Sequence, residues 1–358
     1  MTRSSPPSGA VRIGRSPPRA GYPRLKKEWK KSDIRVGSPR ACYYILNRKE
    51  EDPAMSDPDS VQLATLVDGE DPNAVISEAG RILKFWFDEA VWSPIGSVAS
   101  DVVGLFDGRF PGYRACDTDY HDIRHTMAVL LATARIADGL FIERSPYDPS
   151  LARDLLIAAL CHDTGYIRTM DEAGGTGARF TSIHVRRSAD FALANAGRWG
   201  LDDDSASRVA RIIYATGLKG EYDDQAWADD AEREAGSIIA SADLVGQMAD
   251  RAYLEKLLFL YYEFKEAGFP GYETEFDMLR KTMSFYDMTI SMLDGRFHGV
   301  RSLARRHFAE RWGVDRDLYD QSMKRQIDYL RGILDDESTN FRKKLKRMDL
   351  ELSQPRTA

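Results

Sequence analysis

Cysteine is scarce in this chain: Cys42, Cys116 and Cys161 are the only three in 358 residues. Three thiols build neither a disulfide framework nor a four-thiolate zinc cluster, so a reducing, cytoplasmic setting is expected. Long apolar runs are lacking as well. The stretch LEKLLFLYYEF is short and flanked by charge, well below the roughly 20 residues that cross a bilayer, and no transmembrane segment is expected. Alternating apolar and polar residues, the mark of half-buried strands, are not found, nor is an internal repeat. Histidine is rare too, with six residues.

What is present divides in two. Residues 1–50 hold 13 Lys or Arg against 3 Asp or Glu, a local excess of +10 inside a chain whose net charge is −6. Residues 1–60, rich in Pro, Gly and Ser, read as a disordered basic segment without the apolar core of a signal peptide; a natural start at Met55 is an alternative reading. Such a segment can touch nucleic acid or an anionic surface. It brings no aromatic or folded recognition module, so nucleic acid is not an expected partner. Residues 346–358, basic and then polar, read as a flexible tail.

Between them, residues 61–345 carry helical spacing almost throughout, and the expected fold is all-α, a multi-helix bundle of about ten helices. VISEAGRILKFWFDEAVW reads as one amphipathic helix, SPIGSVASDVVGLFDGRFPGYRACDTD as loops and turns, and HDIRHTMAVLLATARIADGLFIE as a central helix. DPSLARDLLIAALCHDTG starts at Asp148 or Ser150 and stops at Gly165; the glycine-dense IRTMDEAGGTG then offers an active-site rim. Helices follow in FTSIHVRRSADFALANAGRWG, DDDSASRVARIIYAT, DDAEREAGSIIASADLVGQM, DRAYLEKLLFLYYEFKEAG and ETEFDMLRKTMSFYDMTISML, with two more near 300–311 and 314–334. The aromatic run LLFLYYEF is core or the surface of a homodimer.

Four of the six histidines, His121, His125, His162 and His184, fall within 64 residues. His121 and His125 are four apart, which on a helix puts them on one face. His162 and Asp163 follow an apolar run, and Asp243 sits in the apolar run SIIASADLVG, where a carboxylate is costly unless paired or bound to metal. Each of these can be a satisfied core residue, and the His–Asp pair can simply tie helices together. Taken together, His125, His162, Asp163 and Asp243 make a mixed nitrogen and oxygen donor set for a divalent ion. Such a set leaves room for water and a phosphoryl oxygen.

The elements DYHDIRHTMAVL, AALCHDTGY and IIASADLVGQ, with 37 residues from His125 to His162 and 80 from Asp163 to Asp243, resemble the H…HD…D signature of the HD-domain metal-dependent phosphohydrolases. Within that superfamily, YHDIRH is most similar to the Tyr-His-Asn-x-x-His element of class I cyclic-nucleotide phosphodiesterases. The resemblance spans roughly residues 115–250. It implies an HD-type helical bundle, metal ligation by His125, His162, Asp163 and Asp243, and His121 as general acid to the leaving oxygen. It further implies one tightly held ion (Zn, Fe or Mn) and a second (Mg or Mn) bridged by Asp163, with His184 and Gln247 at the substrate or second metal. The sequence departs from that family at Asp122 in place of Asn, at a single His184 where two histidines are usual, and at Gly217 in place of Asp.

The expected activity is hydrolysis of a small phosphate ester, a nucleotide or cyclic-nucleotide phosphodiester. Alternatives are a nucleoside-monophosphate phosphomonoesterase and a non-catalytic regulator that binds metal or ligand. Arg168, Arg186, Arg187 and Lys219 are candidate phosphate contacts, and Cys161 reads as a packing residue.

Overall fold

The computed structural model describes residues 60–350 except 145, 218–220, 337, 339 and 349; the basic N-terminal segment, Met55, Cys42, Lys219 and residues 351–358 lie outside the described residues. Eleven α-helices fill the described chain: α1 Pro72–Lys84, α2 Glu89–Phe106, α3 Ile123–Glu143, α4 Pro149–Cys161, α5 His184–Asn195, α6 Asp203–Tyr214, α7 Asp230–Met248, α8 Tyr253–Glu266, α9 Glu275–Ser291, α10 Ala304–Trp312 and α11 Leu318–Asp335. Among the described residues the β-type pairing is a single bridge between Tyr113 and Thr169. The fold is all-α.

Local chemistry sets the helix starts. Asp71 and Asp148 each accept a backbone N–H two residues ahead and precede a proline at the first helical position, a pairing of side-chain cap and preset φ. Asp202, Asp229, Thr274 and Asp317 cap α6, α7, α9 and α11, each accepting a backbone N–H three residues ahead.

Two sequence expectations fail between residues 75 and 119. VISEAGRILKFWFDEAVW is two helices, because the chain turns between Lys84 and Glu89 and that turn carries the Trp86 indole N–H onto Asp138 at 2.6 Å. The segment read as loop is largely α2, which runs through Pro94 to Phe106. Ile95, Val98, Ala99, Val102 and Leu105 are all buried, and burial of that 3.6-period stripe outweighs the one hydrogen bond that a proline deletes.

Helix α3 is central, packed by α1, α4, α7 and α10, with 16 of its 21 residues buried. It is also the one described helix long and apolar enough to cross a membrane by length and composition, a property that LEKLLFLYYEF was expected to come closest to. Its apolar faces are spent on the core: Met127, Leu130, Ile136 and Leu140 are nearly inaccessible, each worth about 1.5–3 kcal/mol when fully buried. The aromatic run on α8 is mostly core, with Leu257, Leu258, Phe259 and Tyr261 buried. Cys161 is a packing residue whose thiol is pushed well up by burial. The expected flexible tail starts too early at 346, since the Arg347 backbone N–H donates to Glu255 at 3.1 Å and its guanidinium to Gln326 at 2.9 Å.

A charged residue in the middle of α3 is explained by a buried network. Asp138 accepts from Nη2 and Nε on one edge of Arg311 (2.8 and 3.0 Å), from His307 Nδ1 (2.8 Å) and from Trp86. Trp312 donates its indole N–H to His307 Nε2 at 3.2 Å, which fixes the neutral Nδ1–H tautomer. Arg311 also lies over the Phe85 ring, 3.6 Å from its centroid.

Candidate metal centre

Four segments meet at one end of α3. Asp122 caps that helix in extended backbone, accepting from the His125 N–H at 3.0 Å, so His125 stands in the first turn. His121 precedes the cap. The expectation that His121 and His125 share a helical face is therefore corrected: Asp122 starts the helix between them, and His121 reaches the site from the bend before the helix. His162 is the residue that closes α4, Asp163 follows it, His184 opens α5, and Asp243 sits late in α7.

The donor atoms converge. His125 Nε2 lies 3.2 Å from Asp163 Oδ2, 3.2 Å from Asp243 Oδ1 and 3.4 Å from His162 Nε2. His162 Nε2 lies 3.3 Å from Asp163 Oδ2 and 3.9 Å from Asp243 Oδ1. The nearest donor atoms of His125, His162 and Asp243 all fall within 4.8 Å of one another. Ligands about 2.0–2.2 Å from a common ion stand roughly 3–3.5 Å apart, so this set fits a divalent cation. His162 Nδ1 donates to the Ala159 carbonyl at 2.9 Å, which leaves Nε2 with its lone pair toward the cluster. Asp163 Oδ2 is buried with no hydrogen-bond partner among the described residues although two imidazole nitrogens surround it. An oxygen so placed is misdirected for hydrogen bonding and well directed for a metal.

Electrostatics agree. Burial opposes charge on His125, yet Asp163 and Asp243 outweigh it and raise the imidazole to about 10; burial likewise opposes a raised His162, which Asp163 overcomes. Asp163 is pushed up by burial and held well below the carboxylate range by His162 and His125. Without a metal the carboxylates favour the protonated imidazoles, so binding an ion would displace protons.

His121 stands beside the cluster. Its Nδ1 meets Glu263 Oε2 at 2.6 Å, and the other Glu263 oxygen accepts the Tyr120 N–H at 2.7 Å. Tyr166 is stacked between His121 and His184, with centroids 4.2 and 4.5 Å away. His184 Nδ1 donates to the Thr181 carbonyl at 2.7 Å, and its Nε2 is 3.6 Å from Asp163 Oδ1. Gln247 is engaged at both amide ends: Nε2 donates to Asp243 Oδ1 at 3.3 Å and Oε1 accepts from Tyr120 OH at 2.5 Å. It orients a ligand carboxylate. Sequence reasoning missed Glu263 and Tyr166. The signal for Glu263 was a carboxylate inside the apolar run LLFLYYEF, the same oddity that singles out Asp243.

Two of the candidate phosphate contacts, Arg187 and Arg168, are engaged by groups of the protein itself. Arg187 donates to Gly165 O (2.7 Å), to Ile167 O (3.2 Å) and to both oxygens of Glu172 (2.8 and 3.0 Å). Arg168 is paired with Asp117, and Arg186 is exposed. The first two brace the loop at 167–177.

Gly165 allows α5 to approach. A Cβ there would lie 2.1 Å from the His184 carbonyl oxygen, and the Gly165 N–H donates to Ser188 Oγ at 2.9 Å. Gly165→Ala is expected to push His184 from Asp163 and to cost about 1–3 kcal/mol of stability, the usual price of overpacking, read as a lowered thermal midpoint.

A family described as Npun_R2479-like matches residues 169–294. The matched segment contains His184, Asp243, Gln247 and Glu263, while His121, His125, His162 and Asp163 precede it. No curated protein matches the chain.

Proposed function

We propose that the protein is a metal-dependent phosphohydrolase of the HD type, acting on a small phosphate ester, with a nucleotide or cyclic nucleotide as the substrate class. The observation that carries this reading is the convergence of two imidazole nitrogens and two carboxylates, with Asp163 Oδ2 buried between both imidazoles and without a well-directed hydrogen bond among the described residues. His125, His162, Asp163 and Asp243 would hold the ion. A divalent cation there supplies Lewis-acid polarisation of a phosphoryl oxygen and lowers the pKa of water at neutral pH.

The protein's own groups do the rest. Glu263 accepts from His121 Nδ1, which leaves Nε2, 3.4 Å from the Tyr166 hydroxyl, as the nitrogen to serve a departing ester oxygen. The Tyr166 ring fixes the plane of that imidazole. Gln247, itself held by Tyr120, sets the Asp243 carboxylate. His184 and the Oδ1 side of Asp163 are the place for a second ion or a phosphoryl oxygen.

The test is hydrolysis of a nitrophenyl phosphodiester and monoester by metal-stripped protein re-supplied with Mn, Mg, Zn or Fe. Metal-dependent turnover is expected, and the preferred ester separates diesterase from monoesterase action. His121→Ala should lower kcat by roughly 10²- to 10⁴-fold, the range of a general acid, while bound metal stays at the wild-type level. Loss of metal from this variant would place His121 among the ligands instead.

A further inference from the structure

A metal-binding imidazole is held in place by what its other nitrogen bonds. For His121, His162 and His184 the protein supplies a partner to Nδ1: Glu263, the Ala159 carbonyl and the Thr181 carbonyl. His125 differs. Its side-chain polar contacts are made by Nε2, and Nδ1 has no hydrogen-bond partner among the described residues. With Nε2 turned to the cluster, the ligating tautomer carries its proton on Nδ1. Leaving that donor unmet in a residue 5% exposed would cost about 1–3 kcal/mol.

A pocket of about 10 Å³ lies against His125, room for one water molecule. Its polar wall is Tyr120, Gln247, Asp250, Tyr253 and Lys256. Four of these five are already bonded: Tyr120 OH donates to Gln247, Gln247 to Asp243, and Lys256 pairs with Asp250. The fifth is not. Tyr253 is 1% exposed, and its hydroxyl forms no hydrogen bond among the described residues. Neither this hydroxyl nor His125 Nδ1 is one of the sealed, unpartnered polar atoms of the core, so each keeps some accessible surface. For Tyr253, with so little of it, the pocket it lines is where that surface opens. Burial pushes the phenol well above its ordinary range, so it stays protonated. The pocket shares Ala128, Gly246, Asp250 and Lys256 with a cavity of about 1100 Å³, from which a water can enter.

We propose, resting on the metal centre put forward above, that this pocket is a site for one structural water, which accepts from His125 Nδ1 and from the Tyr253 hydroxyl and donates to the Asp250 carboxylate. Tyr253 is thereby a positioning residue for the ligand His125. A water so bridged serves nearly as well as a direct hydrogen bond, and it gives His125 the outer partner that His162 finds in a carbonyl.

The experiment measures Mn and Zn affinity, by competition with a chelating dye, for full-length wild type and Tyr253→Phe, together with the thermal midpoints of both metal-free proteins and a crystal structure of the metal-loaded wild type. Tyr253→Phe removes one oxygen to which no protein group bonds, so the metal-free midpoint should match the wild type. Metal affinity should fall about tenfold, the lower end of the effect of losing an outer partner, because His125 keeps a less firmly fixed water. The crystal structure should show an ordered water within about 3.2 Å of His125 Nδ1 and of the Tyr253 hydroxyl. Unchanged affinity in Tyr253→Phe, or a pocket without ordered water, would overturn the inference and leave the metal centre standing. A wild type that holds neither ion would overturn the metal centre itself, and this inference with it.

Discussion

Asp163→Ala is expected to strip the metal from the protein and bring ester hydrolysis to background. The carboxylate lies 3.2 and 3.3 Å from the two imidazole nitrogens that would share the ion with it, and it is 3% exposed, so no solvent group takes its place. Loss of an outer partner typically costs ten- to a hundredfold in metal affinity; loss of a direct ligand should exceed about a hundredfold. Asp163→Asn, which keeps the shape but not the charge, should fall between wild type and Ala in metal content. Far-UV circular dichroism should show the helical signal of the wild type in both, because the site lies at helix ends and not along their packed faces. A variant that keeps both metal and turnover would remove Asp163 from the centre.

Asp138→Asn should give the largest loss of stability, about 3–5 kcal/mol, the cost of leaving one partner of a buried ion pair unmatched. Arg311 is 2% exposed and His307 is inaccessible, so neither can turn to water. In denaturant melts this is a large share of the ~5–15 kcal/mol that holds a typical protein folded. Replacing both residues, Asp138→Asn with Arg311→Met, should recover part of it, since the unpaired charge goes as well. The same network predicts acid sensitivity. Burial pushes the Asp138 carboxyl up, but His307 and Arg311 outweigh it and hold it down at about 2, below its ordinary 3.8. Its contribution is therefore complete above about pH 4 and is lost as the pH falls through 2. His307, lowered from 6.5 chiefly by burial, adds a loss in the same direction that begins as the pH falls through 6.5. The stabilities of wild type and Asp138→Asn should converge toward pH 2. A constant difference between pH 7 and 2 would mean that the carboxylate does not hold the network.

Much of the helical order was legible because its signals are local. Asp148 before Pro149 marks a helix start within three residues, and the stripe in HTMAVLLATARIADGL identifies the central helix from one window. Pro94 and Gly96 misled for the same reason: they punctuate locally, and the tertiary burial of Ile95, Val98 and Val102 overrules them. The four donor residues could be gathered because histidines are few and each sits in or after an apolar run. Their supporting partners could not. Glu263 meets His121 across 142 residues, and His307 meets Asp138 across 169; no spacing rule reaches so far. The position of His121 was misread because Asp122 follows it as a helix cap, which only the backbone reveals.

Metal stoichiometry tests most directly whether His125, His162, Asp163 and Asp243 form a metal centre. Purified full-length protein, stripped and then equilibrated at neutral pH with Mn, Mg, Zn or Fe, would be freed of excess ion and analysed by mass spectrometry beside Asp163→Ala and His121→Ala. The predicted result is at least one tightly held ion per chain for wild type and His121→Ala, and only traces for Asp163→Ala. Retention of no ion by the folded wild type, or equal retention by Asp163→Ala, would contradict it and make the cluster a buried set of His–Asp pairs.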